Sequence, residues 1–113
     1  MSNPSPEVGG PDPAPIFAAL GDRTRLSLLT RLSDGRARSI AKLSTDTSLT
    51  RQAITKHLHV LETAGLVSSI RIGRETQYAY RPEPVAAAKS YLETVSAQWD
   101  DALARLRAFV ERA

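Results

Sequence analysis

The chain has 113 residues, a net charge of +3 and no cysteine. That length holds one domain with short tails, and the missing thiols exclude disulfides, thiolate metal sites and thiol redox sensing by this chain alone. The sequence shows no basic start followed by an apolar run, and no stretch near the roughly 18 apolar residues that a membrane helix needs. A cytoplasmic protein without membrane contact is therefore expected.

The charge is unevenly spread. Residues 22–82 hold eleven Lys/Arg against five Asp/Glu, a local excess of +6, and the remainder holds four against seven, or −3. A basic middle favours a polyanionic partner, although a solvated basic face would look the same.

Residues 1–12 form a Pro/Gly-rich tail, and five of the seven prolines fall within the first fifteen positions. Such a composition reads as disordered or extended. The domain then occupies 13–113. Asp12 is expected to cap a short first helix with Pro13 in its first turn, running through Ile16, Phe17, Ala19 and Leu20 to Gly21. Asp22 is expected to cap a second, with Leu26, Leu29 and Leu32 spaced for one buried face and Leu28 beside it. This helix stops near Asp34-Gly35. Ser39 caps a third, short helix with Ile40 and Leu43 inward, and the polar run 44–48 is a turn.

Thr50 caps a fourth helix that ends at Gly65, a residue suited to a left-handed C-terminal position. Residues 66–72 and 75–81 read as two strands around Gly73-Arg74. From about Glu83 to Arg112 runs one long helix. Along it Leu92, Trp99 and Leu106 repeat every seven residues, accompanied by Val95, Leu103 and Phe109. That seam is too long for a small body to cover, so a second copy is the expected cover, with folding back onto its own domain as the alternative. The fold class is mainly α with a small β-hairpin. Its order α-α-α-α-β-β-α, with a short helix, a turn, a longer helix and a hairpin, is that of a dimeric winged helix-turn-helix.

The fourth helix carries two faces. At about 100° per residue, Ile54, Leu58 and Leu61 gather on one side, and Gln52, Thr55, Lys56 and His59 on the other. The outer stripe suits a DNA major groove: Gln pairs with adenine, Lys reaches guanine or phosphate, and Thr meets a thymine methyl or a phosphate. Arg51 stands at the helix start, where backbone N–H groups also favour phosphate. An ordinary solvated face is the competing reading; the short helix before it and the basic hairpin after it tip the balance to DNA. His57 and His59 point about 200° apart and cannot share one metal ion. His57 is expected to be packed or hydrogen-bonded. At the hairpin tip Arg71 and Arg74 flank Gly73 and can reach phosphates or a narrow minor groove. Tyr78 and Tyr80 are expected to pack on the body.

No nucleophile–base pair, glycine-rich phosphate loop or metal-ligand cluster is visible, and "IGRE" holds a single glycine; an enzyme is not expected. No cofactor or metal is expected either.

Together, "ALGDRTRLSLLTRL", "RQAITKHLHVLETAGLV" and "SIRIGRETQYAYRP" resemble the ArsR family of bacterial winged-helix repressors over roughly residues 13–82, with the last helix consistent in place and length. The resemblance implies a homodimer joined through its first and last helices, binding an inverted-repeat operator on double-stranded DNA and repressing. By motif position it places Arg51, Gln52, Thr55, Lys56 and His59 in the major groove and assigns Arg71 and Arg74 to the wing. Metal-sensing members carry a cysteine pair on the third helix, or His and Asp ligands on the last. Here "SIAKLSTDT" has no cysteine, and the last helix has Glu93, Asp100 and Asp101 but no histidine. The chain resembles the branch without metal sites, whose inducer is often unknown; an unknown small-molecule inducer is a further partner that the resemblance allows. The alternative is a winged-helix module for non-specific DNA binding or protein contact.

Overall fold

The computed structural model describes residues 12–112. Except for Asp12, the expected tail over 1–12 lies outside the described residues. Five helices and three strands follow one another: α1 (Ala14–Leu20), α2 (Arg23–Leu32), β1 (Arg38–Ser39), α3 (Ile40–Ser44), α4 (Arg51–Thr63), β2 (Val67–Ile72), β3 (Glu75–Tyr80) and α5 (Pro82–Arg112). The mainly α winged helix-turn-helix architecture expected from the sequence is the one observed, with one strand more.

Local chemistry sets most boundaries. The side chains of Asp22, Ser39 and Thr50 accept hydrogen bonds from the backbone N–H groups of Arg25, Lys42 and Ala53, so α2, α3 and α4 each start on a satisfied donor. At the start of α1 the register differs by one from the expected cap. Pro13 takes the capping position, and Asp12 accepts from the Ala14 N–H at 3.0 Å. α4 ends on Gly65 at φ +78°, a left-handed conformation that an L side chain rarely adopts. The hairpin turns on Gly73 at φ +62°. Pro82 and Pro84 lie in the first turn of α5, where a missing N–H costs nothing.

The unexpected strand is β1. Its two residues pair with β3, Arg38 with Tyr78 and Ser39 with Gln77, and the antiparallel sheet has the order β1-β3-β2. This pairing fastens the start of α3 to the base of the wing.

The core draws on every helix except the distal part of α5. Leu32, Leu43, Leu58, Leu61 and Leu66 are fully enclosed, and Ile54 nearly so. Tyr78 is buried and Tyr80 packs against the same cluster. One expected core position is corrected. Leu26 is half exposed, and Leu28, Leu29 and Leu32 make the buried stripe. Around the helix axis that stripe is centred toward position 25, so Arg25 lies on the inner side and Leu26 is turned out. Beyond its first turns α5 stands clear of the body, and the molecule measures 69 × 28 × 27 Å.

Candidate nucleic-acid interface

The recognition surface is built by three attachments. α4 is held by Ile54, Leu58 and Leu61, which turn Arg51, Gln52, Thr55, Lys56 and His59 to solvent, as their spacing predicts. β2 is tied to α4 by the Ser69 hydroxyl, which donates to a Glu62 carboxylate oxygen at 2.6 Å. The hairpin is then fastened by the Arg81 N–H, which donates to the Leu66 carbonyl at 2.9 Å. These contacts fix the wing relative to the helix, so both can address one ligand.

Between them lies an open cleft of about 640 Å³, lined by Arg51, Gln52, Thr55 and Lys56 from α4, Arg74, Glu75 and Thr76 from the wing, and Ser39, Ile40 and Ala41 from the start of α3. Five of the seven residues singled out for DNA therefore share one concavity. His59 is exposed farther along α4, and Arg71 is exposed on β2, where its Nε donates to the Gly73 carbonyl at 3.3 Å. The Thr55 hydroxyl donates to the Arg51 carbonyl at 2.7 Å, which occupies its proton, and the side chain is exposed. Glu75, one carboxylate beside three cations, is a member of this cleft that sequence reasoning missed. Its place after Arg74 at the wing tip was the available signal.

The basic excess divides on inspection. Three arginines are used inside the fold. The Arg25 guanidinium donates from Nε to the Ala19 carbonyl at 2.6 Å and from Nη2 to the Ala18 carbonyl at 3.3 Å, capping α1. Arg31 donates to the carbonyls of Leu43 and Lys42 at 2.6 and 3.2 Å, closing the C-terminal end of α3. Arg38 grips Asp34 with both Nη groups, at 3.0 and 2.6 Å. Unpaired backbone carbonyls at a helix end favour such cations. By contrast, Arg51, Lys56 and Arg74 make no side-chain hydrogen bond or ion pair among the described residues.

Two carboxyls respond to these partners. The Arg38 side chain, and after it the Arg36 N–H, hold Asp34 well below the usual carboxylate range. The Arg25 N–H leads the lowering of Asp22, and the Arg25 guanidinium adds to it. His57 is partly buried, its Nδ1 3.4 Å from Arg25 Nη1 and 3.8 Å from Asp22 Oδ1, in keeping with a hydrogen-bonded structural histidine. Burial pushes the Tyr78 phenol up, as the Glu62 carboxylate does to a lesser degree.

Among the described residues no group of three or more His, Cys, Asp or Glu is placed to hold a metal ion, and no helix is long and apolar enough to cross a membrane. Along α5 the apolar seam is bare: Leu92, Leu103 and Leu106 are exposed, Trp99 is 64% and Phe109 69% exposed, and only Val95 is half-buried.

A short helix, a turn, a helix with one outward polar face and an adjoining basic wing define a winged helix-turn-helix DNA-binding fold. A family model described as a helix-turn-helix domain matches residues 20–70. An uncharacterised HTH-type transcriptional regulator of Bacillus subtilis, YuzN, is 45% identical over 76 residues, covering 62% of this chain and 83% of the relative. The HTH-type transcriptional regulator Rv2034 of Mycobacterium tuberculosis is 35% identical over 81 residues, covering 72% and 75%. Among solved structures, an ArsR-like transcriptional regulator from Rhodococcus sp. RHA1 superposes with a TM-score of 0.75 at 39% identity, covering 86% of this chain and 91% of that one. The chain belongs to the ArsR-like helix-turn-helix transcriptional regulators.

Proposed function

We propose that this protein is a homodimeric, sequence-specific repressor that binds an inverted-repeat operator in the cytoplasm. The observation that carries the reading is the single cleft shared by Arg51, Gln52, Thr55 and Lys56 of α4 and Arg74 of the wing. In the proposed complex Gln52 and Lys56 read base edges, the Thr55 methyl meets thymine, and Arg51 neutralises phosphate at the helix start. His59 extends the helix contact, and Arg71 and Arg74 follow the backbone or the minor groove.

The bare seam on α5 supports the dimer. Leu92, Val95, Trp99, Leu103, Leu106 and Phe109 repeat along one side of a helix on which all of them but the half-buried Val95 are exposed, and a second copy supplies a matching seam. Two recognition helices related by a two-fold axis then meet two half-sites about one helical turn apart. Among the described residues no arrangement of side chains specifies an inducer.

Footprinting on DNA upstream of the coding sequence tests the reading. A sharp, two-fold symmetric footprint supports it. Diffuse protection that fades with salt and ignores sequence marks a purely electrostatic binder instead. Dilution gives a separate test of the dimer: Trp99 emission shifts toward that of exposed indole as subunits separate, and an exposed-indole spectrum at every concentration contradicts the seam.

A further inference from the structure

Arg25 touches three helices at once. It belongs to α2, it caps α1 through the carbonyls of Ala18 and Ala19, and its Nη1 lies 3.4 Å from Nδ1 of His57 on α4. The same Nη1 is 3.9 Å from Asp22 Oδ2, and Asp22 Oδ1 both caps α2 and lies 3.8 Å from His57 Nδ1. The three side chains are 17%, 35% and 24% exposed for Arg25, Asp22 and His57, so water competes only partly for these contacts.

A guanidinium is a flat fork with five donors in fixed directions. With Nε and Nη2 committed to α1, the direction of Nη1 is set, and it is the group that faces α4. A shift of α1 relative to α4 therefore strains this 3.4 Å contact or moves the helix carrying Arg51, Gln52, Thr55 and Lys56. The orientation of Arg25 also explains why α2 turns position 25 inward and leaves Leu26 half exposed.

We propose that Arg25 and His57 are positioning residues that tie the orientation of recognition helix α4 to that of α1, so that the α1 side of the molecule sets the fit of α4 to DNA. The consequence for DNA rests on the function proposed above; the mechanical link does not. Because α1 also meets α5, with the Phe17 and Tyr91 rings 6.0 Å apart, the link would carry a change at the α5 seam to the recognition face.

The test uses the full chain and three variants: Arg25→Lys, which keeps the charge and loses the fork; His57→Phe, which removes the acceptor; and His57→Gln, which restores one. Amide hydrogen exchange on free protein reads the link without DNA. The expected result for His57→Phe, a change on α4, is several-fold faster exchange at the end of α1 as well as in α4, with His57→Gln near wild type. Arg25→Lys should loosen the same two regions. If His57→Phe loosens α4 alone, or neither helix, the proposal is overturned, and Arg25 is only a cap for α1.

Binding to the footprinted duplex gives the second readout at a temperature well below each melting point. Each of Arg25→Lys and His57→Phe should lower operator affinity about 5- to 10-fold, and the double variant should lose no more than the worse single. Fully additive losses contradict a shared path. Wild-type protein that shows no operator preference counts against the proposed function, while the exchange result still decides the link.

Discussion

Arg25, Arg31 and Arg38 line the inner side of the domain with backbone carbonyls and Asp34 as partners, whereas Arg51, Lys56 and Arg74 lie exposed on the outer face of α4 and the wing. Each set supplies three of the eleven positive charges behind the +6 excess read from the sequence. Their work differs. The inner set closes helix ends and helps fix where α3 and α4 sit; the outer set has no side-chain partner among the described residues and is the one proposed to meet DNA. Net charge counts the two alike, and only their partners separate them. A small basic domain can thus use part of its charge on its own backbone, and the charge left for DNA is smaller than the sum.

The largest effect is expected in the scaffold beneath α4. Leu58 is fully enclosed beneath the outer stripe, and Leu58→Ala should cost about 2–5 kcal/mol of stability. A thermal melt checks this, and an unchanged melting point would mean that the two faces of α4 are assigned the wrong way round. Next comes the inner set. Arg31→Ala strips donors from the Leu43 and Lys42 carbonyls and should lower stability by about 1–3 kcal/mol. DNA affinity measured on the protein that remains folded should fall less than stability does.

The outer set should behave in reverse. Lys56→Ala should weaken operator binding by about 1–3 kcal/mol if Lys56 contacts a base edge, with the melting point held. Arg74→Ala should act more evenly across sequences, reducing the salt slope by about one. The smallest effect concerns acid. Asp22 and Asp34 both have folded pKa values depressed below the ordinary carboxylate value of 3.8. Their contribution to stability is therefore present above that value and is lost as pH falls through the lower folded values. Melts from pH 6 downward should show little change until about pH 4 and a decline below it; Asp34→Asn should flatten that decline.

The sequence made legible those features that rest on local chemistry. Asp22, Ser39 and Thr50 cap helices because a short side-chain oxygen next to a helix start has few better partners. The two faces of α4 follow from spacing alone, and the left-handed Gly65 and the turn at Gly73 follow from the one residue type that adopts them without strain. The features it hid are non-local. Strand β1 is two residues long, with no alternation to detect, and exists because Tyr78 and Gln77, some forty positions on, offer their backbone. The inward turn of Arg25 in place of Leu26 depends on carbonyls at the end of α1 and a histidine on α4, none of them visible in the pattern of α2. Similarly, the cleft joins residues from α3, α4 and the wing. Spacing named its members on α4 and the hairpin tip, but not Ser39 or Glu75, whose place follows from how the strands pair.

The most direct test of sequence-specific recognition by α4 and the wing is fluorescence anisotropy with DNA from the protein's own upstream region against a scrambled duplex, over a salt series. Preferential binding to the upstream duplex that persists as salt rises is the predicted result. Equal binding to both duplexes, falling together with a steep salt slope, would contradict it.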